Sequence, residues 1–239
     1  MTINDLLHDL KSIFAQPNIP ISNKNSLLNN LITNDAKQYI TSLFSGSKPE
    51  SALRESFFTQ GSILTNFLFK GGTLMPEVSI ASGFLDYQFV DQNTNTKIVI
   101  ELKSLYNKTG KGNNISLAMS TLDWQTHIPQ IKKYINSGDF IILTDLKDWY
   151  FFSKTTDSNN PKYFAELDLE KFIEEFKVSI SLKDYLDRKQ KEATKEILDS
   201  DFMDSLTSWV NELSKIEFKS SIGNKEKLEK IVGLIFHQI

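Results

Sequence analysis

The sequence predicts an α/β protein with a mixed central sheet flanked by helices, N-terminal helices before it and an all-helical connector after it. Three observations predict this. The first fifty residues carry apolar side chains at helical spacing, the middle holds short aromatic and β-branched runs separated by turn residues and one helical stretch, and helical spacing returns from about residue 168. The expected divisions are an N-terminal helical segment at 1–48, a core at 49–165 and a connector at 166–239.

Taken in order, Ile3, Leu6, Leu7, Leu10, Ile13 and Phe14 share one helical face, and Pro17 and Pro20 stop that helix. A second helical stretch covers Leu27 to Phe44, SGSKP at 45–49 is a turn, and Pro49 suits the first turn of a helix over roughly 49–69. Gly71, Gly72 and Pro76 mark a break. Phe84 to Val90 (FLDYQFV) then reads as a strand, QNTNT at 92–96 as a turn, and Lys97 to Lys103 (KIVIELK) as a second strand, together a hairpin. Asn107 to Asn114 (NKTGKGNN) is a polar loop. A helix follows it to about Asn136, with Thr126 as N-cap, Pro129 in the first turn and Ser137-Gly138 as its stop. Asp139 to Asp145 and Asp148 to Ser153 are two more strands with a tight connection, and 155–162 is a linker or loop. Helices are expected at 168–178, 182–199, 201–215 and 224–238, with Phe202, Leu206, Trp209, Val210 and Leu213 as an apolar face of the tail.

Composition narrows the function. The 239 residues are 40% hydrophobic and 24% charged, as in soluble globular proteins, and no apolar run is long enough to span a membrane. The N-terminus lacks a basic region followed by a long apolar core, so it does not read as a signal peptide, and the cytoplasm is the expected location. Without cysteine there is no disulfide framework, no thiolate zinc site and no cysteine nucleophile. A net charge of −3 argues against a uniformly basic nucleic-acid binder, but binding depends on local phosphate contacts. Lys97, Lys103, Lys108, Lys111, Lys132 and Lys133 concentrate in the middle of the chain, and acids dominate from Glu166 to Glu196.

The basic stretch overlaps the residues that carry chemistry. Hydrolysing a phosphodiester needs an activated water and neutralisation of the charge that grows on phosphorus, and Mg²⁺ held by one or two carboxylates supplies both. A lysine nearby can orient the water or stabilise charge. Asp86 and Glu101 lie on the two strands of the hairpin, and a strand points Glu101 and Lys103 to the same face. An acid two residues before a lysine also occurs at Asp9/Lys11, Asp35/Lys37, Asp145/Lys147, Glu175/Lys177, Asp187/Lys189 and Glu217/Lys219. Only Glu101/Lys103 closes an apolar strand preceded by another strand with an acid. The same spacing also describes a surface ion pair at a strand end.

Asp86, followed by Glu101-Leu102-Lys103 after an Ile-Val-Ile run, resembles the signature of PD-(D/E)xK nucleases. The usual proline before the first acid is replaced by Leu85. In that superfamily a later helix often carries a glutamine and, four residues on, a tyrosine, and Gln130 and Tyr134 match. A glutamate on the helix before the sheet often joins the metal shell, and Glu55 is the candidate. The stretch FIILTDLKDWYFFS resembles a strand, turn and tryptophan-bearing strand of type I and type IIG restriction nucleases, and the tail DFMDSLTSWVNEL with EKLEKIVGLIFHQI resembles the helical connector of type IIG restriction–modification enzymes.

The resemblance implies a restriction-endonuclease-like core cutting double-stranded DNA with Mg²⁺, or Mn²⁺ in its place, to leave a 5′-phosphate and a 3′-hydroxyl. Asp86, Glu101 and the backbone carbonyl of Leu102 would hold metal, Lys103 would position water, Glu55, Gln130 and Tyr134 would support them, and Lys108, Lys111 and Lys132 would contact DNA. Neither an NPPY-like motif nor a glycine-rich S-adenosylmethionine loop is present, so a methyltransferase and a specificity domain are expected outside this sequence or on another chain, and a second copy for double-strand cutting. A nuclease-like module that binds DNA or a partner without cutting, and the nuclease part of a type I-like complex, remain alternatives.

Other residues read more plainly. His8, His127 and His237 are too dispersed to form a histidine metal site, with His127 capping or packing its helix. Trp124 and Trp149 read as core or packing residues rather than base-stacking platforms. Gly110 and Gly112 do not open a phosphate-binding loop, since no glycine-lysine-serine/threonine ending follows.

Overall fold

A computed structural model of the protein describes residues 1–154 and 160–214. Its contacts divide the chain into one compact unit, Met1–Lys191, and a second, Glu192–Ile239.

The first unit opens with α1 (Ile3–Phe14), started by a reciprocal cap in which the Thr2 hydroxyl accepts from the Asp5 N–H and the Asp5 carboxylate accepts from the Thr2 N–H. It buries Leu6, Leu10 and Ile13, and short β1 (Asn18–Pro20) follows. Instead of one helix over Leu27–Phe44 there are two, α2 (Lys24–Asn30) and α3 (Asn34–Ser45). Buried Asp9 makes the break possible: its carboxylate accepts from the Ile32 N–H, the Thr33 N–H and the Thr33 hydroxyl. The helix expected over 49–69 is likewise divided into α4 (Pro49–Phe57) and α5 (Ile63–Leu68), with Ser62 capping the second.

The central sheet has six strands: β2 (Gly72–Ile80), β3 (Gly83–Asp91), β4 (Lys97–Leu102), β7 (Phe140–Thr144), β8 (Asp148–Lys154) and β9 (Pro161–Asp168), in that spatial order. The β4–β7 pair is parallel and the others antiparallel, so the sheet is mixed, as predicted. Two strands of this sheet were not anticipated. β2 contains Pro76 and β9 begins at Pro161, and both lie at the sheet edges, where a missing N–H removes no ladder bond.

The connection from β4 to β7 also departs from expectation. The polar loop lies within a hairpin of β5 (Tyr106–Thr109) and β6 (Ser116–Met119), which joins β1 in a three-stranded sheet. The helix starts later, as α6 (Ile128–Tyr134), after a 3-10 turn (Trp124–His127) that Asp123 caps through the Gln125 N–H. Thr126 therefore sits inside that turn and does not cap α6. His127 occupies the N-cap position without a side-chain bond, and Pro129 lies in the first turn.

Helices cover both faces of the sheet. On one, α6 packs Ile131, Tyr134 and Ile135 against Leu85, Val99, Ile141 and Leu143. On the other, Phe58 lies against Tyr87 and Trp149. The core continues beyond residue 165. α7 (Leu169–Phe176), capped by Asp168, sets Phe172 against Trp149 and Phe151, and the start of α8 (Leu182–Ser214) adds Tyr185 to the same aromatic cluster. α8 is a single helix across the two stretches expected at 182–199 and 201–215. The helix expected at 224–238, and the side chains of Trp209, Val210 and Leu213, lie outside the described residues, and Phe202 is exposed. No helix among the described residues is long and apolar enough to cross a membrane.

Candidate active site

The β3–β4 ladder pairs Tyr87 with Ile100, and the next step of that register sets Asp86 opposite Glu101 at the end of the hairpin. Alternation along β4 then separates the jobs of its residues. Ile98, Ile100 and Leu102 are fully buried, while Glu101 turns toward α6. Asp86 is anchored by the backbone, because the Leu102 N–H donates to its Oδ2 at 2.8 Å. The side chains of Asp86, Glu101 and Lys103 are 15%, 5% and 20% exposed, a half-open cluster rather than a surface patch.

Lys103 Nζ lies 2.6 Å from Glu101 Oε1 and donates to Gln130 Oε1 at 3.0 Å. The Gln130 amide donates to Glu101 Oε1 and to the Tyr134 hydroxyl, which in turn donates to the Phe84 carbonyl. One helical turn between Gln130 and Tyr134 thus ties α6 to both strands of the hairpin. Burial, and after it the negative charge of Asp86, push Glu101 up to about 7 against the opposing pull of Lys103. Burial, with the nearby charge of Lys103, pulls His127 down, so its imidazole favours the neutral form at this rim.

Five of the residues singled out from sequence are therefore brought together: Asp86, Glu101, Lys103, Gln130 and Tyr134. Leu102 contributes its N–H, which donates to Asp86, rather than the carbonyl expected to hold metal, and its side chain lies in the core. Glu55 is not among them. It is exposed, and its carbonyl accepts from the Gln38 amide on α3. The glutamate of α4 that meets the cluster is Glu50, on which burial and then the charge of Asp86 act to raise the pKa. Residues five apart on a helix differ by roughly 140° in direction, so the two glutamates cannot share a face. Lys111 and Lys132 are exposed, on the β5–β6 connection and on α6, and Lys108 is half-buried on β5.

Two further residues join the cluster that sequence reasoning passed over. Arg54 donates to Asp86 Oδ1 at 2.7 Å and to Glu77 at 2.8 Å, lies 3.7 Å from Glu50, and stands 5.9 Å over the Tyr87 ring. Glu77 lies on β2 between Pro76 and Val78, which pair with Tyr87 and Leu85, and has φ 49°, a backbone region that costs a non-glycine residue on the order of 1 kcal/mol or more. The only local signal was Glu50 four residues before Arg54, which in a helix reads as a solvated ion pair.

Among the described residues no three acidic or histidine side chains form a metal-holding group. Asp86 and Glu101 are the residues that could hold Mg²⁺. Two carboxylates suffice for an ion that keeps several waters, and Glu101 Oε2 is buried with no hydrogen-bond partner, which a cation would satisfy. Comparison with protein families, with curated proteins and with solved structures gave no match.

Proposed function

We propose that the chain is an Mg²⁺-dependent endodeoxyribonuclease with a restriction-endonuclease-like core, acting on double-stranded DNA in restriction–modification or phage defence. The observation that carries this reading is the convergence of Asp86, Glu101, Lys103 and Gln130 at the end of one hairpin, with a bare buried oxygen on Glu101. Asp86 and Glu101 would hold the metal, which when bound activates water and neutralises charge on the phosphate. Gln130 holds Lys103 and Glu101 in register. The Lys103 ammonium is placed to hold the attacking water or to stabilise the phosphorane charge. Attack forms a bond from water to phosphorus and breaks the bond to the 3′-oxygen, which leaves as a hydroxyl after taking a proton. Lys111 on the β5–β6 connection and Lys132 on α6 are exposed and available to phosphates, and Lys108 is half-buried on β5. Methylation and sequence recognition are assigned to other domains or chains, and cutting of both strands to a second copy.

One observation favours the non-cutting alternative: Arg54 already occupies Asp86 Oδ1. Plasmid nicking and linearisation at high protein concentration with Mg²⁺ or Mn²⁺ decides between the two. Asp86→Ala and Lys103→Ala are expected to lose at least about 100-fold in rate, and Glu55→Gln to keep wild-type cutting. A folded wild type that neither cuts nor binds metal in an Asp86-dependent way would sink the nuclease reading.

A further inference from the structure

We propose that Arg54 is the resident counter-ion of the metal position: it holds Asp86 in the metal-free protein and yields Asp86 Oδ1 when a divalent cation binds, passing to Glu77 and Glu50. This rests on Asp86 being a metal ligand.

The two oxygens of Asp86 are not equivalent. Oδ2 is fixed by the Leu102 N–H, which cannot move without opening the end of β4, so Oδ1 is the oxygen free to change partner. Arg54 holds it through one terminal nitrogen. On Glu101 the division is the same: Oε1 is shared by Lys103 and Gln130, and Oε2 is bare. Asp86 and Glu101 would hold the cation, and a guanidinium on Asp86 Oδ1 opposes it by charge.

Arg54 is also built to let go. Its other terminal nitrogen is already on Glu77, and Glu50 stands on the same helical face one turn back. Glu77 has a left-handed backbone that an ordinary strand residue does not adopt, and Arg54 reaches it and Asp86 together. The planar, two-ended guanidinium spans Asp86 and Glu77 together, which a lysine ammonium cannot do with the same geometry. Release of Asp86 therefore leaves the arginine paired rather than stranded in its half-buried place.

The test is calorimetric titration of Mn²⁺ into the metal-free full chain, without DNA, for wild type, Arg54→Gln and Arg54→Lys, with melting temperatures recorded with and without metal. Arg54→Gln is expected to bind Mn²⁺ at least about 10-fold more tightly, to melt lower without metal, and to gain more from metal than wild type does. Arg54→Lys is expected to fall between the two, and it carries the comparison if the glutamine variant does not fold. Asp86→Asn in either background is expected to abolish binding. Wild-type or weaker affinity in both arginine variants, with binding still dependent on Asp86, overturns the exchange and leaves Arg54 a plain structural ion pair. Binding that is absent, or indifferent to Asp86, overturns the metal reading and this inference with it.

Discussion

Asp145 is a buried acid in the turn between β7 and β8, where Oδ1 accepts from the Lys147 and Asp148 N–H groups and Oδ2 has no partner. Burial pushes it up to about 6, above its ordinary 3.8, against those two backbone bonds. The folded protein thus holds a proton that the unfolded chain releases near 3.8, so this group weakens the fold progressively as pH rises from about 4 to about 6. The full loss is on the order of 2–3 kcal/mol. Asp145→Asn keeps the acceptor and removes the charge. Its melting temperature is expected to decline less than that of wild type between pH 4 and 7, and parallel profiles would contradict this origin of the slope. Nothing in the Asp145/Lys147 spacing reveals that burial. Glu101/Lys103 was more legible, because an apolar strand fixes which face each residue takes, and the structure joins both to Gln130.

At the scale of elements, strands and helices with strong periodicity were legible and their interruptions were not. The β3–β4 hairpin and the β7–β8 pair fall where their aromatic and β-branched runs predict. The edge strands were concealed by Pro76 and Pro161, since a proline argues against a strand unless the strand's position in the sheet is known. The break between α2 and α3 was concealed because its backbone donors are satisfied from α1, by Asp9, 23 and 24 residues away in sequence. Asp9→Ala leaves those buried donors without an acceptor and is expected to cost about 2–4 kcal/mol in urea unfolding at an unchanged slope. A cost below about 0.5 kcal/mol would mean that the break closes without Asp9.

At the scale of the molecule, the packing boundary falls later than the change in sequence pattern. Strand signals fade before residue 166, but Leu169, Phe172, Ile173, Phe176, Tyr185 and Leu186 are buried, and the compact unit runs to Lys191. A fragment of residues 1–191 is expected to unfold cooperatively with the near-UV signature of buried Trp149. A fragment ending at 165 loses Phe172 and Tyr185 from the aromatic cluster around Trp149 and Phe151, and is expected to lack a cooperative transition. Equal behaviour of the two would show that α7 and the start of α8 are dispensable to the core.

What the sequence by itself determined is the mixed α/β class, the central hairpin and the alignment of Asp86, Glu101 and Lys103 on it. These follow from local alternation, which any strand must obey. Tertiary structure alone decided that Glu50 rather than Glu55 faces the acids and that Arg54 bridges Glu77 and Asp86. Those pairings join a helix to two strands across 23 and 32 residues. Side chains that far apart in sequence meet only once the packing of helix on sheet has set the helix's rotation, and no local pattern encodes that angle.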